Sequence, residues 1–339
     1  MRRLIGGVLL IVGSSVTLWS QDAPVISGGA AWVTTKNGDA TFHQPILSPV
    51  LALPLGTKLL VEARGDVRWL IAKEGFTSGD YQSTFFGTLE YLQLDYLAHP
   101  NLTITAGRFL TPFGIYNERL TPVWIRNLQE VPIIFTIGTR TTGSSDGVML
   151  RGTKELNSDV QINYTTYFSA LSTVNKFESA RTAGFRVGTF LPESRVELGL
   201  SYQRFLQSQH FDSYGAHLGW QPWSAPLDVK AEYAHAPGGH GYWIEAALRD
   251  TSSSGESVFR HLQPVARLQQ FWRIKPFAGD ALPGVDTQQV DLGLNVLLPK
   301  EVRLTGSYGR RFTDTVDQNN WNIGITYRFL FPLSVGGSR

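Results

Sequence analysis

Alternation of apolar and polar residues, repeated along almost the whole chain, constrains the fold more than any other feature. Between Val160 and Phe168, and again between Trp321 and Phe329, every second residue contributes to a largely apolar face. The residues between them are small, polar or charged. Because successive residues of a strand point to opposite faces of a sheet, such segments are predicted to be strands with one apolar face. Links containing Pro, Gly or Asn separate them, which predicts an antiparallel, all-β chain of hairpins.

The N-terminus has the layout of a secretory signal peptide. Arg2 and Arg3 precede an apolar stretch, 4–12, and small residues follow it up to Ser20. We predict a signal peptide over residues 1–20, with the cleavage point open between 20 and 23. No other segment approaches the ~20 apolar residues of a spanning helix. Since only helices and closed barrels satisfy every backbone group in lipid, a membrane-integral form of this chain must be a β-barrel.

The composition limits the kinds of partner and chemistry that this chain can have. Charged residues make up 17% of the chain, against a usual ~25%, and aromatic residues make up 12%. The 30 basic residues include Arg2 and Arg3, so removal of the signal peptide leaves 28 basic and 28 acidic residues. A net charge of zero argues against nucleic acid as a partner. The absence of cysteine excludes disulfides, cysteine zinc sites and thiol catalysis.

The alternating segments predict a transmembrane antiparallel β-barrel of about 16 strands, spanning residues 24–330 and followed by a tail, 331–339. The first two strands are the weakest, which leaves 14 as the alternative count. Short and long links alternate along the chain, and aromatic residues recur near strand ends, as in outer-membrane barrels. A barrel of this size encloses an aqueous lumen rather than a packed core. The predicted strands lie near 28–35, 46–53, 57–72, 84–97, 102–110, 147–153, 159–169, 181–191, 195–205, 211–221, 227–236, 240–249, 260–273, 286–298, 301–311 and 320–330.

One carboxylate breaks the pattern. Glu90 falls on the same face as Leu92 and Leu94, where a charge in contact with lipid would be costly. A β-bulge or register change near Gly87 would move Glu90 off the lipid face. We therefore predict such an irregularity in the fourth strand. The link Thr251–Ser257 is also longer than the short turns that are expected on its side of the barrel.

The longest irregular segment, 111–145, follows a clear strand that ends at Leu110. Long inserts in a hairpin array are usually functional or disordered, and this one is too aromatic for disorder. We predict that it folds into the lumen from the long-loop side and constricts the barrel.

A family resemblance covers about forty residues around the start of this insert. Leu94-Asp95-Tyr96 leads through a short turn to Ala106-Gly107-Arg108-Phe109 and then to Thr111-Pro112-Phe113-Gly114. This run resembles the phosphate-selective-porin-like (porin O/P-type) group of Gram-negative outer-membrane porins. The resemblance implies a passive diffusion channel for small hydrophilic solutes in the cell outer membrane, with outer-membrane lipid as surroundings, an internally folded loop and a homotrimeric assembly. The lysine-rich ladder of anion-selective members is missing, and ten residues follow Phe329, where outer-membrane strands usually end the chain.

Charged residues at predicted lumen positions are the candidates for the pore lining and constriction. Arg108 is included although strict alternation places it beside Leu102 and Ile104, because the strand breaks just after it. The insert carries three arginines and two glutamates, so weak preference for small polar or anionic solutes is the working hypothesis. The candidates are Arg108, Glu118, Arg119, Arg126, Arg140, Arg151, Arg186 and Arg267.

The sequence predicts no catalytic, metal or cofactor site. His235 and His240 flank a Gly-rich hairpin tip without obvious further ligands. Ser213 and His217 share a face, but four residues of strand separate them by ~13 Å. Two alternatives to a porin stay open: a non-conducting outer-membrane barrel that acts as an enzyme or adhesin, and a soluble secreted all-β protein.

Overall fold

A computed structural model describes residues 23–75, 77–136, 143–169, 181–206, 210–248, 261–276 and 282–333 of the chain. The predicted signal peptide lies outside these residues. Sixteen strands dominate the structure. They are β1 (Val25–Asn37), β2 (Ala40–Leu55), β3 (Leu59–Lys73), β4 (Tyr81–His99), β5 (Leu102–Leu110), β6 (Ser144–Asn157), β7 (Val160–Ser169), β8 (Thr182–Leu191), β9 (Val196–Phe205), β10 (Phe211–Trp220), β11 (Leu227–Ala236), β12 (Gly239–Leu248), β13 (Leu262–Arg273), β14 (Thr287–Leu298), β15 (Val302–Thr313) and β16 (Gln318–Pro332).

The strands form one closed antiparallel barrel in sequence order. Each strand pairs with its neighbours along the chain, and β1 closes the barrel against β16 from Val25↔Pro332 to Asn37↔Asn320. Closure leaves no sheet edge running the height of the wall, so backbone groups pair within the wall. The predicted count of 16 strands is confirmed, and the alternative count of 14 is wrong because β1 and β2 are long strands, each paired with both of its neighbours.

The two faces of the barrel wall differ in the sense that alternation predicts. Side chains on the outer face are apolar and exposed, as Leu200 (60%) and Ile323 (70%) illustrate. Side chains on the inner face are polar and buried, as Gln203 and Gln289 (both 0%) illustrate. An apolar exterior around a polar interior reverses the arrangement of soluble proteins and suits a barrel in lipid. Within the described residues, no helix has the length and apolar character needed to span a bilayer.

The predicted irregularity in β4 lies at Glu90 itself. Arg64 of β3 pairs with Tyr91, and the next residue, Gly65, pairs with Leu89, so Glu90 is the extra residue of a β-bulge. Arg64 donates a hydrogen bond to the Glu90 carboxylate, and both side chains are largely buried. The bulge therefore gives the carboxylate a cationic partner instead of lipid.

Two boundaries, at the end of the insert and at the start of the tail, differ from the sequence prediction. β6 begins at Ser144, so the insert covers 111–143 rather than 111–145. β16 continues to Pro332, because its last residues pair with the start of β1, so Phe331 and Pro332 belong to the barrel rather than to the tail. Residues 334–339 of the tail and the link Thr251–Ser257 lie outside the described residues.

Candidate functional site

The insert begins where β5 leaves regular strand geometry. Gly107 has φ +120°, a conformation that favours glycine, and the inside–outside alternation ends there. Arg108, Phe109 and Leu110 are therefore all buried in succession. The Arg108 guanidinium lies 3.8 Å from the Asp146 carboxylate of β6. This break in the strand explains why strict alternation does not describe Arg108.

The first limb of the insert is fixed by one carboxylate of the opposite wall. Glu232 of β11 accepts hydrogen bonds from the backbone N–H groups of Ile115 (3.0 Å) and Tyr116 (3.2 Å). Ser201 of β9 accepts the Gly114 N–H, at 3.0 Å. Gly114 has φ +63°, and a methyl group there would overlap the Glu232 carboxylate. Only glycine therefore allows the backbone to approach the wall this closely.

A single π-helical turn, Tyr116–Leu120, follows and presents two charged residues to the wall. Glu118 forms ion pairs with Arg186 of β8 (2.5 Å) and Arg151 of β6 (3.1 Å). Arg119 forms an ion pair with Glu197 of β9 at 2.6 Å. Burial alone would raise the pKa of Glu118, but the surrounding arginines, Arg186 first, hold that pKa below its usual value. Glu118 is therefore an ionised, paired anchor at neutral pH.

The middle of the insert crosses to the other side of the barrel. Val123 packs with Val33 and Ile46 of β1 and β2, and Trp124 lies against Gly29 of β1. Arg303 of β15 donates a 2.9 Å hydrogen bond to the Val123 carbonyl. These contacts join the insert to the wall at the point where the barrel closes.

The second limb, near Glu130, is anchored by the last strands. The Glu130 carboxylate accepts hydrogen bonds from Arg311 of β15 (2.9 Å) and Gln289 of β14 (3.2 Å). Its backbone carbonyl accepts a 2.9 Å bond from Arg267 of β13, and Gln269 accepts the Ile133 N–H. Residues 111–136 thus contact the inner face from β8 round to β2, and also β6.

A cluster of arginines surrounds the middle of the insert. Arg126 is 8% exposed and lies beside Tyr116, close enough to Arg68, Asp66 and Arg303 for their charges to interact. Burial lowers the pKa of Arg126, Tyr116 opposes that effect, and Arg68 adds to the lowering. The Nε atoms of Arg126 and Arg303 are buried without a hydrogen-bond partner. Neither arginine forms an ion pair with a carboxylate of a described residue.

The predicted site residues fall into distinct groups. Glu118, Arg119, Arg151 and Arg186 meet around the π-helical turn, and Arg126 lies apart from them, in the arginine cluster at the middle of the insert. Arg267 is fully buried on the inner face and pairs with Asp291 at 3.1 Å. The remaining two are Arg108, at the end of β5, and Arg140, which lies outside the described residues.

Sequence reasoning missed a charged row on β3. Glu62, Arg64, Asp66 and Arg68 occupy alternate positions of this strand on its inner face. Asp66 accepts hydrogen bonds from Ser48 and Arg68. Period-two spacing of four charged residues was the available signal, because such a row must lie on one face of a strand.

The aromatic residues of the insert pack rather than line an open path. Phe113 (3%) and Tyr116 (3%) are buried in a cluster with Trp243 and Phe271, and Phe135 packs against it. In the part of the chain that the structure describes, no group of three or more His, Asp or Glu side chains could hold a metal ion. His235 and His240 are cross-strand neighbours whose ring centroids lie 5.8 Å apart.

Comparison with solved structures identifies the architecture. No protein-family model matches the chain, and no curated protein sequence matches it significantly. The chain is similar to Salmonella typhi OmpF, solved in complex with daunomycin, with a TM-score of 0.59 and 11% identity over 92% of this chain and 99% of that one. It is also similar to the anion-selective porin from Comamonas acidovorans (0.57, 10%, 90% and 98%). For Pseudomonas putida OprB, the corresponding values are 0.56, 7%, 91% and 93%. The chain therefore has the fold of the sixteen-stranded porins of Gram-negative outer membranes.

Proposed function

We propose that this protein is an outer-membrane porin, a passive diffusion channel for small hydrophilic solutes that catalyses no reaction. The observation that carries the proposal is a closed barrel with an apolar, exposed outer face and a polar, charged inner face. Such a barrel is stable in lipid and can hold water inside. The porin fold of the similar structures supports the same function. Membership of the porin O/P-type group, which the run Leu94–Gly114 suggests, stays a prediction.

The contacts of the insert indicate where solutes would pass. Within the described residues, no hydrogen bond or ion pair joins residues 111–134 of the insert to β3, β4 or β7. Solutes would therefore cross between the insert and this wall, past Glu62 and Arg68 of β3 and Asp95 of β4. Acidic and basic side chains along a narrow passage orient polar solutes as they cross.

Weak anion preference follows from the arginines that anchoring does not neutralise. Arg126 and Arg303 have no carboxylate partner among the described residues, and Asp66 is the carboxylate whose charge acts on Arg126. Their positive potential would concentrate small anions in the middle of the barrel. One structural neighbour is itself described as an anion-selective porin.

The experiment is conductance of the purified full-length protein in planar bilayers. We expect ohmic single channels and, across a KCl gradient, a reversal potential on the anion side. Arg126→Gln and Arg303→Gln should each shift that potential toward cations. Arg310→Gln is the matched control, because Arg310 is an exposed arginine paired with Asp317 near the β15–β16 loop. A wild-type potential that favours cations would refute the anion preference, and absence of channels would favour the non-conducting enzyme or adhesin.

We propose a homotrimer, the assembly that the family resemblance implies, with the upper part of β4 as its contact surface. This strand pairs with β3 from Tyr81 onward but pairs with β5 only from Leu92. Its free edge carries exposed aromatic side chains, Phe85 (59%) and Phe86 (48%). An unpaired, apolar strand edge is a template for another chain, here a second copy. Mass measurement in detergent should give three copies, and Phe85→Glu should give monomers whereas the exposed loop variant Val316→Glu should not.

A further inference from the structure

A cavity of about 230 Å³ lies between the π-helical turn of the insert and the ends of β8–β11. It lies toward the short-turn end of the barrel. Ile115 and Leu120 of the insert and Phe190 of β8 supply its apolar lining. Charged groups from β9, β11 and the β8–β9 turn line the rest of the barrel side of the cavity. Drug-sized ligands occupy ~300–1,000 Å³, so this cavity suits a smaller molecule.

The charges around the cavity leave one cation without an acidic partner. Arg119 pairs with Glu197 at 2.6 Å, and Lys230 pairs with Asp228. The third cation, Arg195, donates a 3.0 Å hydrogen bond to the neutral Gln221 amide. No ion pair joins Arg195 to a carboxylate of a described residue. Three cations against two carboxylates give the cavity a net positive charge.

Arg195 is also held in position. Its guanidinium lies 4.3 Å from the ring centroid of Trp223, within cation–π distance. A guanidinium fixed by an aromatic ring and an amide loses little freedom when it binds a carboxylate, for which its planar geometry is suited. The apolar residues that line the same cavity would contact whatever group that carboxylate carries.

We infer that this cavity binds small organic carboxylates with a compact apolar body, such as a single ring. Arg195 binds the carboxylate, and Phe190, Ile115 and Leu120 contact the body. The inference rests on the proposed channel for the arrival of the solute, and it names a solute class for that channel. The binding itself needs no conduction.

The test uses benzoate as the probe, with acetate and benzyl alcohol supplying the charge and the ring separately. Calorimetry on the full-length protein in detergent should show benzoate binding at least tenfold tighter than either. Arg195→Gln should weaken benzoate binding at least tenfold and Phe190→Ala should do so without changing acetate binding. Arg328→Gln is the matched control, because Arg328 lies at the same end of the barrel, paired with Glu301 outside the cavity.

The outcomes separate this inference from the proposed function. Channels that conduct KCl, together with benzoate binding no tighter than that of acetate and benzyl alcohol, would overturn the cavity assignment alone. Benzoate binding without conduction would overturn the channel and leave the cavity. Unchanged benzoate affinity in Arg195→Gln would also overturn the assignment. Heat-dependent mobility on SDS gels shows that each variant has formed its barrel.

Discussion

Replacement of Gly114 by alanine should release the first limb of the insert while leaving the barrel intact. Gly38 supplies the control, since its φ of +58° matches the +63° of Gly114 and nothing lies within 4 Å of a methyl group there. Both variants should be less stable by ~1 kcal/mol, because alanine is unfavourable in the left-handed backbone conformation. Only Gly114→Ala also forces the Glu232 carboxylate away from the N–H groups of Ile115 and Tyr116.

The additional loss can be worked out from those two hydrogen bonds. A hydrogen bond to a carboxyl group contributes ~1.5 kcal/mol, the value at which the ranges for neutral and ionised acceptors meet, so losing both weakens this anchor by about 3 kcal/mol. That free energy corresponds to roughly a hundredfold increase in the population of the released limb.

Thiol labelling measures this population directly, because the chain contains no cysteine. Ile115→Cys introduces one thiol within the first limb itself, at a position that is 4% exposed in the closed state. A maleimide should label it roughly a hundredfold faster with Gly114→Ala than with Gly38→Ala, because labelling follows the open population when opening is fast. Equal labelling rates in the two variants would refute the proposed anchoring by Glu232.

Further predictions test the lipid face, the β4 bulge and the charged anchor. Leu200→Arg, in the middle of an outer-face strand, should lower barrel stability in urea titrations by roughly 2–4 kcal/mol, and Leu156→Arg, near a strand end, by ~0–1 kcal/mol; equal losses would contradict burial in lipid. Glu90→Ala should lower the free energy of unfolding by roughly 3–5 kcal/mol, because it leaves the buried Arg64 without its carboxylate partner. Glu301→Ala, which breaks an exposed pair, should lower it by ~0–1 kcal/mol. Equal losses in the two variants would refute the contribution of the buried pair. Burial raises the pKa of Glu118, but its arginines lower that pKa further, to below the usual 4.5. The contribution of Glu118 to docking of the insert should therefore be complete above pH 4.5 and be lost as pH falls through the lowered pKa, so thiol labelling should increase at acid pH. Glu118→Gln should abolish this increase.

The strands could be predicted from sequence because the signal for them is local. In a barrel this wide, each residue meets either lipid or the inner face, so alternation along a single strand fixes its orientation. Glu90 shows how far this reasoning reaches: one misplaced carboxylate was enough to predict a bulge, which the register confirms at Glu90 rather than at Gly87.

The contacts of the insert could not be predicted, because they depend on residues far apart in the chain. Ile115 and Glu232 are separated by 117 residues, and Glu130 and Arg311 by 181. Residue type and alternation place Glu232 on the inner face but do not say which backbone N–H groups donate hydrogen bonds to it. The same limit hid the meeting of Arg126 with Arg303.

These contacts change which charges can act on a solute. Arg119, Arg151, Arg186 and Arg267 all pair with carboxylates, so most of their field is cancelled by the partners that hold the insert in place. Counting basic residues on the inner face therefore overstates the selectivity of the barrel. Since the net potential comes from charges whose fields the anchoring contacts do not cancel, Arg126 should dominate ion preference, a distinction that the sequence does not draw among the three arginines of the insert.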